Sequence, residues 1–407
     1  MSRRPDSQPS TGQRSARLQL SLICEPGHPR LPELLAEHEP AELVELIRRD
    51  RAVGGRTLPP AWVHAAQSME SEVARARDLA KAAGLRWLVP GDKAWPGRLY
   101  DLDHAPPNGG ATGAPLGLWV RGDGSLGDLV ESSVSIVGAR DCTAYGAEQA
   151  AEIAADAGGA GFTVVSGAAF GIDACAHRGA LAMLAPTIAV LACDAATSYP
   201  RAHAALLQRI AEEGLVVSEQ PPGRAPTKAR FLARNRLIAA LTVGTVVVEA
   251  RRRSGALSTL AWADQLGRVT MAVPGPVTSQ QSVGTHEAIR DGKAMLVGTG
   301  TDVVMALTGL DSVAVTGAAD ASHGRPNDTA YDALPSDQAR VLDALDWRDP
   351  AAADVVARRA GVDPAVAARA LSALARGGWA AADGSGRWLL ARRADLEQPA
   401  RPRTVGE

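Results

Sequence analysis

A chain of 407 residues is long for a single core, so two or three domains are expected. Apolar residues make up 46%, ample for globular folding, and a formal net charge of -2 excludes a molecule that is basic overall, so any nucleic-acid footprint must come from local patches. The cysteines (Cys24, Cys142, Cys175, Cys193) form no C-x-x-C pair and no metal-ligand spacing, and no apolar run approaches the ~18 residues of a membrane span, so a zinc module, a disulfide scaffold and a transmembrane helix are not expected.

The chain opens on MSRRPDSQPSTGQRSARL, whose arginines precede no long apolar core; this is no secretory signal, and residues 1–19 read as a disordered tail. The protein is expected to be cytoplasmic. Residues 20–82 read as a small helical domain, with apolar positions at Leu34, Leu35, Leu43, Val44 and Ile47 and a mixed-charge continuation from Trp62. A short strand over 86–89, a Trp95-Pro96 turn, a loop over 104–115 and a strand over 116–120 lead to the centre of the chain.

From Ser133 the pattern is strand, glycine turn, helix, strand, glycine turn, helix. Val134, Ile136 and Val137 stop at Gly138-Ala139-Arg140; 144–157 is an alanine-rich helix; 162–165 is a strand closed by Ser166-Gly167; a helix is expected over 168–181. Strands over 187–192, 215–218, 245–249 and 269–273 alternate with helices over 202–214, 232–241 and 257–266, and Leu296-Val297 begin a last strand. This alternation predicts an α/β fold, a doubly wound parallel sheet whose ligands lie beyond the carboxyl ends of the strands. Residues 313–333 are small, polar and Pro/Gly-containing and read as a linker. Helices over 338–345, 352–360 and 364–376, then a hairpin around Asp383-Gly384-Ser385-Gly386, predict a C-terminal winged helix-turn-helix over 334–392; a polar tail, 393–407, ends the chain.

Several constellations suit chemistry. Gly138, Ala139, Arg140 and Thr143 lack the G-x-G-x-x-G fingerprint and its acidic ribose partner, so a redox dinucleotide is not expected; Arg140 at a strand end suits phosphate instead. Ser166 to Asp173 is no Walker loop, but Ser166 and the amides after it can nest a phosphate while Asp173 orients them. His177 has no partnered nucleophile and reads as a structural hydrogen bonder. The run RAPTKARFLARNR holds Arg224, Lys228, Arg230, Arg234 and Arg236 around Phe231 and Asn235, and no Asp or Glu lies between Glu219 and Glu249. Charge to track phosphates plus a ring to stack a base is how single strands are held; a solvated basic face with Phe231 in the core is the plain alternative. After Glu249, Arg251, Arg252 and Arg253 lead into Ser254-Gly255 at a helix start, a further anion site, with Glu249 orienting the arginines.

The motifs GAR-x-x-T-x-YG, SG-x-A-x-GID-x-x-AH, F-x-x-RNR-x-I, VVEA-x-x-x-SGAL-x-T, A-V-PG and GTH-x-x-I-x-x-G, in this order, resemble the DNA-processing protein A (Smf) family over roughly 130–300. The flanking helical and winged-helix regions extend the resemblance to about residues 20–392. It implies a Rossmann-like domain over 83–312 between a small helical (SAM-like) domain, 20–82, and the winged helix. It implies a homodimer, formed through that domain, which binds single-stranded DNA without cutting it. It also implies that incoming strands are protected in natural transformation and that RecA recombinase is loaded onto them. By motif, Arg140, Ser166, Gly167, Phe231, Arg234, Asn235, Ser254 and Gly255 line the DNA pocket, and Lys228 and Arg230 beside the pattern are counted with them. No catalytic residue, metal or cofactor is expected. Ala139 stands where the family more often has serine, Ala168 where it has glycine, and His203 and His286 where it has asparagine, which bears on base contacts. The runner-up is a nucleoside-monophosphate phosphoribohydrolase-like enzyme in which Glu249 or Asp173 polarises water; its PGG-x-GT-x-x-E loop is missing, since Pro274-Gly275-Pro276 lacks the second glycine. In the winged helix Arg358, Arg359, Arg369 and Arg376 suit a DNA backbone, while Val366, Leu371 and Leu374 suit packing or partner docking.

Overall fold

A computed structural model describes residues 8–49, 57–308, 334–346 and 349–391. The expected linker over 313–333 and the tail over 393–407 lie outside these residues. The chain forms two compact units, residues 1–315 and 316–407.

The first unit begins with α1 (Thr11–Ile23), α2 (Arg30–Glu37), α3 (Pro40–Arg48), α4 (Pro60–Gln67) and α5 (Met69–Ala82). Helix α1 starts well inside the stretch expected to be a disordered tail. The Ser10 side chain accepts from the Gln13 amide and the Gln13 side chain accepts from the Ser10 amide, a reciprocal cap, and Ala16, Leu18, Leu20 and Leu22 are buried.

Next come β1 (Arg86–Leu88), β2 (Leu118–Arg121), α6 (Leu126–Glu131), β3 (Ser133–Val137), α7 (Ala144–Gly159), β4 (Thr163–Ser166), α8 (Ile172–Ala182), β5 (Thr187–Leu191), α9 (Ala204–Glu213) and β6 (Leu215–Ser218). Then follow α10 (Lys228–Leu241), β7 (Gly244–Val247), α11 (Gly255–Gln265), β8 (Val269–Ala272), α12 (Val283–Arg290), β9 (Met295–Leu296) and α13 (Gly300–Thr308). One sheet runs in the order β1-β2-β6-β5-β4-β3-β7-β8-β9. From β6 to β9 every pair is parallel; β2 joins β6, and β1 joins β2, antiparallel. The doubly wound parallel sheet thus carries an antiparallel ribbon on one side, and α6, α12 and α13 add to the helices expected.

Period-2 alternation sorts the strand residues between the faces. Val137, Val165, Val190, Val217 and Val247 pack with Leu237, Leu241, Leu260 and Trp262 of α10 and α11. Their neighbours Ile136, Val164 and Val246 pack with Ile153, Ala154, Ala176 and Ala180 of α7 and α8. Trp119, Leu191 and Val216 pack with Leu207 and Ile210 of α9 and with the N-terminal helices through Leu20, Leu43, Ile47 and Trp62. The central strands are buried on both faces, and Ser133, Ser135, Thr163, Thr187 and Thr245 are buried with the apolar residues of those strands.

The second unit packs α14 (Ser336–Asp343), α15 (Ala353–Ala360) and α16 (Pro364–Arg376) against the hairpin of β10 (Ala380–Ala382) and β11 (Trp388–Leu390). Gly361 at φ +60° ends α15 in the left-handed conformation, and Asp363 caps α16 ahead of Pro364. Val341, Val356, Leu371, Leu374 and Trp379 form the core, so the apolar face of α16 is used internally. Arg358 pairs with Asp354 at 2.9 Å and Arg359 with Asp349 at 3.5 Å.

Candidate nucleic-acid interface

The chain runs from β3 outward through β4, β5 and β6, then crosses back to lay β7 against the other side of β3. The connections after β3 and β7 therefore part in opposite directions, which leaves a crevice beyond their carboxyl ends. A cleft of ≈ 580 Å³ lies there, walled by the turn after β3, the loop after β4 and the N-terminal turns of α10 and α11.

Helix α10 starts four residues before the expected 232, because the Thr227 hydroxyl accepts from the Arg230 amide and caps it. The basic run therefore lies on a helix, and helical spacing sorts it. Lys228, Phe231, Arg234, Asn235 and Ile238 all border the cleft. Arg230, about 200° around the helix from Lys228, turns away. Its guanidinium donates to Glu25 at 2.6 and 2.9 Å and to the Ala225 carbonyl at 2.6 Å, and this hydrogen bond holds the Glu25 carboxyl below its usual pKa. Arg230 is thus a strut to the N-terminal helices and no part of the cleft. Arg236 is fully buried, with bidentate bonds of 2.7 Å to Glu219.

Arg140 is exposed at the end of β3, with its guanidinium carbon 4.6 Å from the Phe231 ring centroid, a cation–π stack. Arg234 lies below it, 7% exposed, and donates Nη1 to the Val190 carbonyl at 2.7 Å. Burial lowers the Arg234 pKa while the nearby Asp173 carboxylate opposes that shift. A side chain at Gly167 would overlap the Arg234 guanidinium and displace it from this position. Asp173 is buried and accepts from the amides of Gly167 at 3.2 Å and Ala169 at 3.4 Å, holding the loop after β4 as expected. Burial raises the Asp173 pKa, against the pull of Arg234 and these amides. That loop runs to Gly171, so α8 begins at Ile172 and not at 168; Ala168 (φ +52°) and Gly171 (φ +76°) both leave the helical region.

Ser166 does not reach the cleft. Its fully buried hydroxyl donates to the Ile136 carbonyl at 2.6 Å and pins β4 to β3. Asn235 donates to the Gly255 carbonyl at 3.1 Å and Ser254 caps α11 by accepting from the Ala256 amide at 3.3 Å, so these two residues fix the second helix start while exposed Gly255 leaves its approach open. Glu249 does not orient the arginines after it. It is buried and takes the Thr143 amide at 2.9 Å and hydroxyl at 2.6 Å, tying β7 to the start of α7. Arg251 pairs with Asp141 at 2.6 Å and Arg252 with Glu287 at 2.5 Å, whereas Arg253, Lys228 and Arg140 have no carboxylate partner among the described residues. Arg253, Thr227 and Gln281 line the cleft beyond the expected set. A threonine before a helical run could have announced Thr227; Gln281, which donates to the Asp141 carbonyl at 2.8 Å, left no local signal.

The histidines serve the scaffold. Fully buried His177 shares a 2.7 Å bond with the Thr187 hydroxyl, and burial pushes its pKa down to about 3. His203 Nδ1 lies 3.0 Å from the Ala168 carbonyl and His286 Nε2 3.0 Å from that of Gly275. Both residues expected to alter base contacts are turned to backbone.

Residues 86–308 match the family model described as DNA recombination-mediator protein A, and residues 325–375 match that of the DprA winged helix domain. A Mycobacterium tuberculosis (strain H37Rv) protein carrying the name DNA processing protein DprA is 38% identical over 381 residues, 92% of this chain and 93% of that protein. The DNA processing protein DprA of Streptococcus pneumoniae (strain R6) is 39% identical over 191 residues, 47% of this chain and 66% of its own. An X-ray structure of the Streptococcus pneumoniae protein superposes with a TM-score of 0.56 at 28% identity, covering 72% of this chain and 95% of that one.

Proposed function

The chain belongs to the DNA recombination-mediator protein A (DprA) family, and from that premise we propose that it binds single-stranded DNA in the cleft at the switch point of its sheet. One observation carries this reading: Arg140, Lys228 and Arg253, free of carboxylate partners among the described residues, surround a cleft that also presents an aromatic ring, Phe231. Unpaired cations track phosphates, the starts of α10 and α11 favour anions, and a ring stacks bases of any kind. Glu249 and Asp173, which the alternative enzyme reading would use to polarise water, both accept from backbone amides instead.

Within the family's role, the chain holds incoming strands in the cytoplasm during transformation and loads RecA recombinase onto them. It works as a homodimer, which the edge strand β9 supports: Met295 and Leu296 stand 56% and 54% exposed on an open sheet edge. No helix among the described residues is long and apolar enough to cross a membrane.

Single-strand binding measured across a salt series, with RecA filament formation scored on the same strands, tests the reading. Affinity is expected to fall steeply as salt rises. Arg140→Ala is expected to weaken binding to every base sequence alike, by about the worth of one charged hydrogen bond, ~1.5–3 kcal/mol. Equal affinity for a duplex of the same length, or binding indifferent to salt, overturns it. Strand binding without RecA filaments overturns the loading step alone.

A further inference from the structure

The chain has 3 phenylalanines, and two of them, Phe170 and Phe231, border one small recess with Tyr199. This recess adjoins the cleft: Arg140, Ala169 and Phe231 line both. Its floor is apolar, formed by Leu191, Ala192 and Cys193, whose thiol burial holds neutral by raising its pKa to about 12. Phe170 is 49% exposed and Tyr199 40% exposed, and the Tyr199 hydroxyl bonds no protein group among the described residues. Both rings thus keep roughly half of their surface open at the rim of a basic cleft.

The backbone enforces the display of Phe170. Its loop passes through Ala168 at φ +52°, a conformation that residues with a side chain rarely adopt, and Gly171 at φ +76°. His203 holds the Ala168 carbonyl at 3.0 Å and sets its ring 4.7 Å from that of Phe170 at 64°, an edge contact that supports the phenyl from one side. Across the recess, Tyr199 stands 5.9 Å from Phe231, centroid to centroid, at 51°. Phe231 in turn carries the Arg140 guanidinium on its face. Arg140 and the three rings thus border one recess, with the guanidinium in direct contact with Phe231.

We propose that Phe170, Tyr199 and Phe231 form a second subsite that takes an unstacked nucleobase of a strand whose phosphates lie in the cleft. The subsite rests on the single-strand reading and deepens it. The apolar floor and the rings offer stacking and no base-edge code, so any base is accepted, purines held more firmly than pyrimidines by their larger π-face.

Equilibrium binding by the full chain of two fluorescent oligomers of equal length, one of deoxythymidine and one of abasic tetrahydrofuran units, tests this. The wild type is expected to bind the base-bearing strand more tightly. Phe170→Ala and Tyr199→Ala are each expected to lower that affinity roughly tenfold, while leaving the abasic strand unchanged. The abasic affinity reports in the same experiment that the variants are folded, and Tyr199→Phe, which keeps the ring, is expected to bind as the wild type does. Equal losses on both strands, or none on either, overturn the subsite. A wild type that binds both strands equally removes the subsite and leaves the single-strand reading standing; a wild type that binds neither removes both.

Discussion

At the scale of single residues, the arginines of the basic run do unlike work. Arg230 struts to Glu25, Arg234 lies buried under Gly167, and Arg236 is sealed against Glu219 with further bonds to the carbonyls of Gly113 and Ala233. These three arginines are tied into the scaffold, whereas Arg140, Lys228 and Arg253 border the cleft without a carboxylate partner among the described residues. His177 offers a test of the scaffold under the cleft. Its folded pKa of about 3 lies below the ordinary 6.5, so between those values the unfolded chain binds more protons than the folded one. Its contribution to stability is complete above pH 6.5 and is lost as pH falls toward 3, by up to about 1.4 kcal/mol per pH unit. Urea midpoints at pH 7 and pH 4.5 are expected to fall further apart in the wild type than in His177→Gln; equal falls would show that His177 is not held neutral.

At the scale of elements, the start of α10 decides the composition of the cleft wall. Beginning at Lys228, the helix places Lys228 and Phe231 a turn apart and carries Arg230 to the far side. The stretch before Leu232, RAPTKARF, is basic and small and has no apolar periodicity to announce a helix. The helix opens on the Thr227 cap. Thr227→Ala is expected to cost about 1 kcal/mol of stability, and to weaken strand binding further by fraying the turn that carries Lys228, whereas Thr227→Ser retains both. Denaturant unfolding and strand binding on the same preparations check this; an alanine variant with unchanged stability would mean that the cap is idle. The late start of α8 has a similar cause, for Asp173 draws the amides of Gly167 and Ala169 to itself and holds them out of any helix.

At the scale of the whole molecule, the helices before residue 83 are no appendage. Leu20, Leu43, Ile47 and Trp62 share a core with Trp119, Leu191, Leu207 and Ile210 of the sheet layer. Arg230 to Glu25, Arg224 to the Leu22 carbonyl at 3.1 Å and Arg14 to Asp92 cross the same boundary. A fragment of residues 83–308 would expose that core and is expected to be recovered as aggregate. Residues 8–308 are expected to unfold in one transition and to bind single strands as the full chain does, because every wall of the cleft lies within them. Two separate transitions, or a clear drop in affinity on removing the winged helix, would contradict this.

Much of this was legible along the chain. Alternating apolar strands and alanine-rich helices are local patterns, and from them the doubly wound sheet, the winged helix and the glycine turns follow. The motif series is local as well, and it marked Arg140, Gly167 and Phe231, all of which border the cleft or the recess beside it. What the chain could not announce is where a polar side chain finds its partner. Ser166 turns to Ile136, Glu249 to Thr143 and Arg230 to Glu25, each partner supplied by a distant segment. The antiparallel ribbon of β1 and β2 is likewise a matter of which edge was free. Apolar periodicity is written residue by residue because burial acts on each side chain separately. A hydrogen-bond partner is selected by proximity, and proximity exists only once the layers have packed.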